Sequence, residues 1–441
     1  MKLFVKILII FWAAFITIIL AMGATRYVSV GGHRITGTSK KVILLLAEIP
    51  ANIYYLFNNK LEPLQIISTS SLKTGFTYTD KHAENKDYLL VSVWDDALSQ
   101  SIVKLVRIRD GRILHKWVPD LGKLNNILEK LGVKTRLAKS TTQLWHPFVM
   151  DDGSLIFGAD RIFKIDKNSN IIWSSTSPCH HSIEPDSEGN IWFCSYNTST
   201  KNSKKYQILD DAVVKISAES GKVLFQKSVF EILMENGYGR GHFFINPFIS
   251  CNDSCLDYMH LNDIQPVFED AKYWKRGDLF LSLRHQNLVL LYRPSTNKII
   301  WSQNGPWLRQ HDVDIIDSVK IGIFGNNVID AFFPDQKNRL LEGHNNQYIY
   351  DFSKNEISTP YTDFFKSSSI GTYTNGRSRI LSNGDIFVEE TNHGRNLYGN
   401  RNSELIWTYI ERINNKKISQ FTWSRYMTEE EFNKVTFFNE K

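Results

Sequence analysis

Between residues 64 and 425 the hydrophobic positions fall in short runs, alternating or continuous, each closed by Gly, Pro, Asn, Asp or Ser. Runs of roughly four to eight residues closed in this way are strands joined by tight turns. Residues 277–312 show the plan most fully. They read as a turn, a strand, a polar turn at Arg284-His285-Gln286-Asn287, a second strand, a third turn, and a strand ending in Ile299-Ile300-Trp301. A loop through Asn304-Gly305-Pro306 then leads to Gln310-His311-Asp312. Equivalent hydrophobic endings recur at Trp117, Trp173, Phe225, Trp301, Ile357 and Trp407, spaced 56, 52, 76, 56 and 50 residues apart. A period near fifty with four strands per unit is the pattern of propeller blades. The six endings predict an all-β, six-bladed β-propeller. Helical insertions are expected at 121–131 and 230–235, the latter stopping at Gly237.

Outside the strand region the pattern changes. Lys2 and Lys6 precede an uncharged, mostly apolar run over residues 7–25. Its length approaches the ~20 residues that span a bilayer, and it reads as an N-terminal transmembrane or signal-anchor helix. Cleavage after Ala21-Met22-Gly23 is the alternative. Arg26, Arg34, Lys40 and Lys41 follow the run and outnumber the cations before it, against a simple positive-inside orientation. The N-terminal, signal-like position nevertheless puts the bulk of the chain outside the cytoplasm, on the periplasmic side of the inner membrane in a bacterium. Residues 26–63 read as a polar linker and an apolar helix interrupted at Pro50. Thr428 with Glu431 is a helix-start signal, so residues 426–441 read as a C-terminal helical tail. The expected segments are therefore 1–25, 26–63, the propeller over 64–425, and 426–441.

Composition narrows the function classes. The formal net charge is +6, with both signs mixed along the 441 residues, and no basic run interleaves with aromatics. Nucleic acid is thereby excluded as the expected partner. Of four cysteines, Cys251 and Cys255 are spaced for a small disulfide loop or stay as thiols. Cys179 and Cys194 flank a hairpin, and either pair or sit as buried thiols. No Cys-x-x-Cys spacing is present, and neither a metal nor a cofactor is predicted.

The candidate chemistry comes from register. His146 lies seven residues before Gly153, His180 and His181 nine and eight before Gly189, His311 eight before Val319, and Arg377 seven before Gly384. His260 lies seventeen before Gly277, with an insertion between. Inner strands of a propeller line its channel, so equal registers gather these side chains around one mouth. With Arg284 from a neighbouring hairpin tip they would form an anion pocket. Asp257 and Asn262 flank His260 as orienting groups. The plain alternative for each histidine alone is a hydrogen-bonded strand-end residue. The polar stretches at 343–346 and 392–395 read as turns.

The ordered motifs HHSIEPDSEGNIWF, DYMHLNDI, GDLFLSLRHQN, and IIW followed by QHD resemble the bacterial arylsulfotransferase family over residues 140–425. That resemblance implies an extracytoplasmic six-bladed propeller moving a sulfuryl group from a phenolic sulfate ester to another phenol, without a nucleotide sulfate donor. It implies that His311 is the nucleophile that becomes transiently sulfated. His260, Arg284 and one of His180 and His181 complete the catalytic set; Arg377 and His146, from the shared register, and Asn262, beside His260, are the expected substrate-binding groups. The implied partners are an aryl sulfate donor, a phenolic acceptor and, through the N-terminal segment, a membrane. Four positions depart from the family pattern: Leu283 stands where Ser is expected and His285 where Asn is expected on either side of Arg284, Ser182 where an acid follows the His pair, and Asp263 where Ser follows Asn262. They leave the ionic core intact and the substrate open. A non-catalytic propeller that binds an anion or scaffolds an envelope complex is the alternative from another class. A quinone-dependent dehydrogenase propeller is disfavoured by the six-fold repeat.

Overall fold

A strand that is apolar on both faces needs cover on both faces, and the computed structural model provides it by stacking sheet against sheet. It describes residues 11–13, 15–18, 20–23, 38–39, 43, 65–67, 72–79, 85–197, 208–238, 250–251, 255–329 and 338–439. The chain divides into two units, Met1–Glu62 and Pro63–Lys441. In the first, residues 11–13, 15–18 and 20–23 are helical and exposed. Among the described residues no helix is long and apolar enough to cross a membrane. The rest of the expected anchor, and nearly all of the linker and apolar helix over 26–63, lie outside the described residues.

The second unit is the expected β-propeller. Among the described residues, six antiparallel sheets of four or five strands follow one another along the chain. Their innermost strands are Arg425–Met427, Trp145–Val149, His180–Pro185, Leu261–Pro266, Val313–Ile315 and Arg377–Ile380. The six predicted endings fall in the fourth strand of each blade, counted outward: Ile113–Trp117, Ile171–Pro178, Val223–Ser228, Lys298–Asn304, Glu356–Ser358 and Leu405–Ile410. The sixth blade gains a fifth strand, Gly75–Tyr78, on its outer edge. The first blade is closed by the far end of the chain, where Tyr88, Leu89 and Leu90 pair with Met427, Tyr426 and Arg425. The boundary expected at residue 425 therefore falls inside a strand of the ring, and the C-terminal tail begins with part of a blade.

The core lies between blades. In Leu279–Leu283 of the fourth blade, Leu279, Leu281 and Leu283 pack toward Val213 of the third blade. Phe280 faces the other way, onto Ile321 and Tyr350 of the fifth. Strand alternation thus turns one continuous apolar run into two interfaces. Each fully buried side chain of this kind contributes about 2 kcal/mol. Between blades, carboxylates accept hydrogen bonds from the next inner strand. Asp211 takes Leu261 N at 2.7 Å, Asp263 takes Val313 N at 2.9 Å, and Asp312 takes Ser378 N at 3.0 Å. Glu389 takes Trp423 N at 3.1 Å, and also Ser424 N. These bonds fix each strand entrance relative to its neighbour, which is where the candidate residues sit.

The helical insertions form as expected. Leu121–Lys130 is capped by Asp120 and buries Leu121, Leu124 and Leu128 at helical spacing. Val229–Glu235 is capped by Ser228. Glu429–Lys434 carries the capping box of Thr428 and Glu431, and Arg379 holds Glu431 at 2.6 Å.

Candidate functional site

At one end of the channel the chain repeatedly adopts a conformation that side chains resist. His146, His181, His260, Arg309, Asn375 and Trp423 all have positive φ, between 48° and 70°. Each stands at or shortly before an inner strand. A left-handed non-glycine residue costs about 1 kcal/mol or more. Strand register also shifts between His180 and Ile183, between Trp145 and Phe148, and between Leu261 and Asp263. Kink and bulge together re-aim side chains at this end.

His181, His260 and His311 meet there. The His181 ring lies 4.9 Å from that of His260 and 6.2 Å from that of His311, centroid to centroid. The His pair is thereby resolved: His181 faces its two partners, and His180 sits behind it, stacked on Tyr196 at 4.1 Å. His180 Nε2 is 3.4 Å from Asp211 Oδ1, and its Nδ1 is 2.8 Å from His181 Nδ1. Asp211 favours a proton on His180 Nε2, so His180 Nδ1 accepts from His181 Nδ1–H. The lone pair of His181 then sits on Nε2.

Arg284 joins the cluster through a short 3-10 turn, Arg284–Gln286, ended by left-handed Asn287. Arg284 N donates to His260 O at 3.0 Å and His285 N donates to Met259 O at 3.1 Å, so the hairpin tip is clipped to the strand that carries His260. The guanidinium Nη1 donates to His285 Nε2 at 2.7 Å, and His285 Nδ1 donates to Asp257 O at 2.7 Å. His260 Nδ1 donates to Asp257 Oδ2 at 2.6 Å. His311 Nδ1 donates to Asn326 Oδ1 at 2.6 Å, while its Nε2 accepts from Asn375 N at 2.9 Å.

Burial and cationic neighbours keep these imidazoles neutral. His311 is driven well below the ordinary histidine range, first by burial and then by the Arg284 charge. His181 is driven well below it by burial and by His260. His260 falls to about 3 through burial and Arg284, and His285 to about 2 through burial and His260. His311 is 2% exposed, whereas His260 keeps 26% of its side chain exposed. His260 is therefore more open to an incoming molecule than His311. The site as a whole offers neutral nitrogen lone pairs beside a fixed guanidinium, a combination suited to a tetrahedral anion.

The other expected residues are placed differently. His146 is buried and stacks on Trp423 at 4.0 Å, beside the triangle rather than in it. Asn262 is buried and donates from Nδ2 to Gln310 O at 3.0 Å, tying the strand of His260 to the segment of His311. Arg377 lies over Trp423 at 4.9 Å, with Asp312 at 3.8 Å and Asp314 at 3.7 Å. It lines a cavity of about 920 Å³ at the opposite end of the channel, where Val149, Pro185, Gln265, Ile315, Ile380 and Met427 gather from the strand exits. The matching register of Arg377 does not carry it to the histidine end, because the left-handed residue of its blade is Asn375.

Asp257, His260 and His285 bring one ligand atom each within 4.8 Å of one another. The hydrogen bonds do not fit a cation there. Arg284 donates into His285 Nε2, which leaves the proton on Nδ1, the atom that faces Asp257. A metal would need that nitrogen deprotonated, and would sit against a guanidinium.

His285, Arg309, Asn326, Asn375 and Trp423 are site residues that register counting missed. Arg309 is buried, and its charge bears on His260. Its signal was its position two residues before His311. Asn326 and Asn375 had none, since they arrive from a second strand and from the following blade. Cys179 and Cys194 are free and buried, and the side chains of Cys251 and Cys255 lie outside the described residues.

A family model described as Arylsulfotransferase (ASST) matches residues 146–412, a stretch holding every expected site residue. No curated protein sequence gives a match. Among solved structures, a protein of unknown function from Bacteroides caccae is 10% identical, covering 78% of this chain and 100% of its own, with a TM-score of 0.48. The WD40 β-propeller domain of Doa1 is 11% identical over 82% of this chain and 99% of its own, with a TM-score of 0.39. A streptogramin B lyase is 12% identical over 78% and 90%, with a TM-score of 0.38.

Proposed function

This chain belongs to the arylsulfotransferase family, and from that premise we propose that it moves a sulfuryl group from an aryl sulfate to a phenolic acceptor through a covalent intermediate on His311. The observation that carries the reading is the convergence of His181, His260 and His311 beside Arg284, with His311 protonated on Nδ1.

In the first half-reaction the Nε2 lone pair of His311 attacks sulfur. The N–S bond forms, the S–O bond to the aryl group breaks, and the electron pair leaves with the phenolate. Arg284, charged at every relevant pH, accompanies the charge that develops on the sulfuryl and phenolate oxygens. Because Asp257 holds His260 Nδ1–H, His260 Nε2 is a base rather than an acid. In the second half-reaction it takes the proton of the acceptor phenol, whose oxygen attacks sulfur and returns the electron pair to His311. That proton balances the one the first phenolate takes up after release. No redox step and no further co-reactant enters the balance. We further propose that the propeller works outside the cytoplasm, tethered through residues 1–25. The uncharged run behind Lys2 and Lys6 supports this.

The test is mass spectrometry of the protein after incubation with a chromogenic aryl sulfate, alongside phenol-dependent turnover. A sulfuryl adduct on His311, lost together with turnover in His311→Ala, is the expected result. Turnover that survives His311→Ala without an adduct would remove the mechanism. Binding of the aryl sulfate without turnover in the wild type would leave a non-catalytic anion-binding propeller.

A further inference from the structure

We propose that Asn326 is a positioning residue for His311: one side chain sets which imidazole nitrogen bears the proton and holds the segment that covers the other. The proposal rests on the reading of His311 as the nucleophile. Asn326 follows the strand Lys320–Gly325 and is wholly buried. Its Nδ2 donates to two carbonyls, Thr372 O at 3.1 Å and Asn375 O at 2.8 Å. Its Oδ1 faces His311 Nδ1 at 2.6 Å.

The orientation of this amide follows from its partners. Turned over, Asn326 would set its oxygen against two carbonyl oxygens and its NH₂ against the ring. The two carbonyls therefore fix Nδ2, and Oδ1 is left to accept from the imidazole. On the far side of the ring Nε2 meets Asn375 N at 2.9 Å, and a backbone amide can only donate. Two independent partners thus require the same tautomer, with hydrogen on Nδ1 and the lone pair on Nε2. Burial keeps the ring neutral so that the tautomer matters.

The same geometry shows what must change. The Asn375 amide occupies the line along which sulfur has to approach Nε2. It belongs to residues 371–375, which are held by a second asparagine, Asn345: Thr372 N donates to Asn345 Oδ1 at 2.6 Å, and Asn345 Nδ2 donates to Asn326 O at 2.7 Å. Asn392 Oδ1 accepts from Tyr373 N at 2.8 Å and from Thr374 N at 3.0 Å. When the Nε2–S bond forms, the ring gains positive charge and Asn326 Oδ1 bears on it through Nδ1–H, while the Asn375 amide gives up its bond to Nε2. Asn326 touches both sides of that exchange.

The experiment is nitrogen NMR of the protein labelled with ¹⁵N-histidine, with His311→Gln identifying the His311 signals, combined with single-turnover sulfation by p-nitrophenyl sulfate. Wild type should show the Nδ1–H tautomer. Asn326→Leu, apolar and close in size, should lose it and sulfate His311 at least about 100-fold more slowly. Asn326→Asp keeps the acceptor. It should retain the tautomer, with the acid limb of the rate profile moved to higher pH by the new carboxylate, while its second oxygen, set against Thr372 O and Asn375 O, loosens the covering segment. An Nε2–H tautomer in wild type overturns the proposal, and that measurement holds even where a variant folds poorly. So does Asn326→Leu with tautomer and rate unchanged, or Asn326→Asp with the Nδ1–H tautomer lost. If wild type forms no adduct while Asn326→Leu still shifts the tautomer, the positioning role stands and the sulfuryl-transfer reading fails.

Discussion

His285 offers a quantitative check on the site, because its hydrogen bond to Arg284 can be separated from the packing of its ring on His260, 4.4 Å away, by a mutant cycle. Its Nε2 accepts from the guanidinium at 2.7 Å, and its other nitrogen is anchored on Asp257 O at 2.7 Å. Arg284 is 9% exposed and His285 is 5% exposed, so water does not readily replace the lost acceptor. A buried hydrogen bond to a charged group contributes about 1.5–3 kcal/mol. If the bond serves to aim Arg284 at the developing charge, His285→Ala should lower kcat/KM by about 10- to 150-fold. His285→Asn, which keeps a side-chain acceptor, should recover most of that loss. The decisive assay is a double-mutant cycle with Arg284→Ala, measuring kcat/KM for a chromogenic aryl sulfate. Acting only through Arg284, His285→Ala should add little once the guanidinium is gone, giving a coupling of about 1.5 kcal/mol or more. The penalty should also hold steady from about pH 5 to about pH 8, because His285 stays unprotonated down to about 2 and remains an acceptor throughout. Two single effects that simply add, or a His285→Ala penalty confined to KM, would refute the reasoning.

Two further outcomes concern stability. His146 is buried, stacked on Trp423, and pushed well below its ordinary pKa by burial and then by Arg425 and Arg377. The unfolded chain takes up a proton there below about pH 6.5 while the native chain does not, so this group removes stability as pH falls. His146→Phe keeps a stacking ring without the titration, and should gain about 1 kcal/mol on wild type between about pH 6.5 and about pH 5.5. Urea midpoints at the two pH values measure it, and a gap that stays constant contradicts it. Gly399 lies under the buried Phe364 ring, which a Cβ would meet at 2.5 Å. Gly399→Ala should cost about 1–3 kcal/mol with the fold retained. It reads as a lower thermal midpoint, and an unchanged midpoint would mean that the ring moves aside freely.

The blades were legible because outer strands carry bulky apolar residues soon after a turn, as in Lys298–Asn304 and Leu405–Ile410, although the strands run on past Trp301 and Trp407. The histidines were legible as a set, since channel-facing strands share a register. Their individual directions were not. Which of His180 and His181 faces inward depends on a left-handed φ at His181 and a bulge beside it, and neither leaves a mark in a histidine pair. Counting back from Gly384 placed Arg377 with the histidines, but local strand geometry turns it toward the acids and the opposite opening. Asn326 and Asn375 are contacts between segments far apart in sequence, which periodicity within one blade does not reveal. Residues 425–427 form a strand too short to register as one, and they sit beside a strong helix-start signal that drew the boundary to the wrong side.

That short strand carries a consequence for how the molecule is made. Leu90 waits for Arg425, a partner synthesised 335 residues later. Until the last residues are available, the opening blade presents bare amide and carbonyl groups along Tyr88–Asp95, a ready template for pairing with the wrong chain. Contacts of such long sequence separation also form late. Assembly therefore has a seam, and its closure is expected to be the slowest and most error-prone event in maturation. The closing strand is preceded by Trp423, which stacks on His146 beside the histidine triangle and lies under Arg377. Completion of the ring therefore also completes the channel wall beside the triangle.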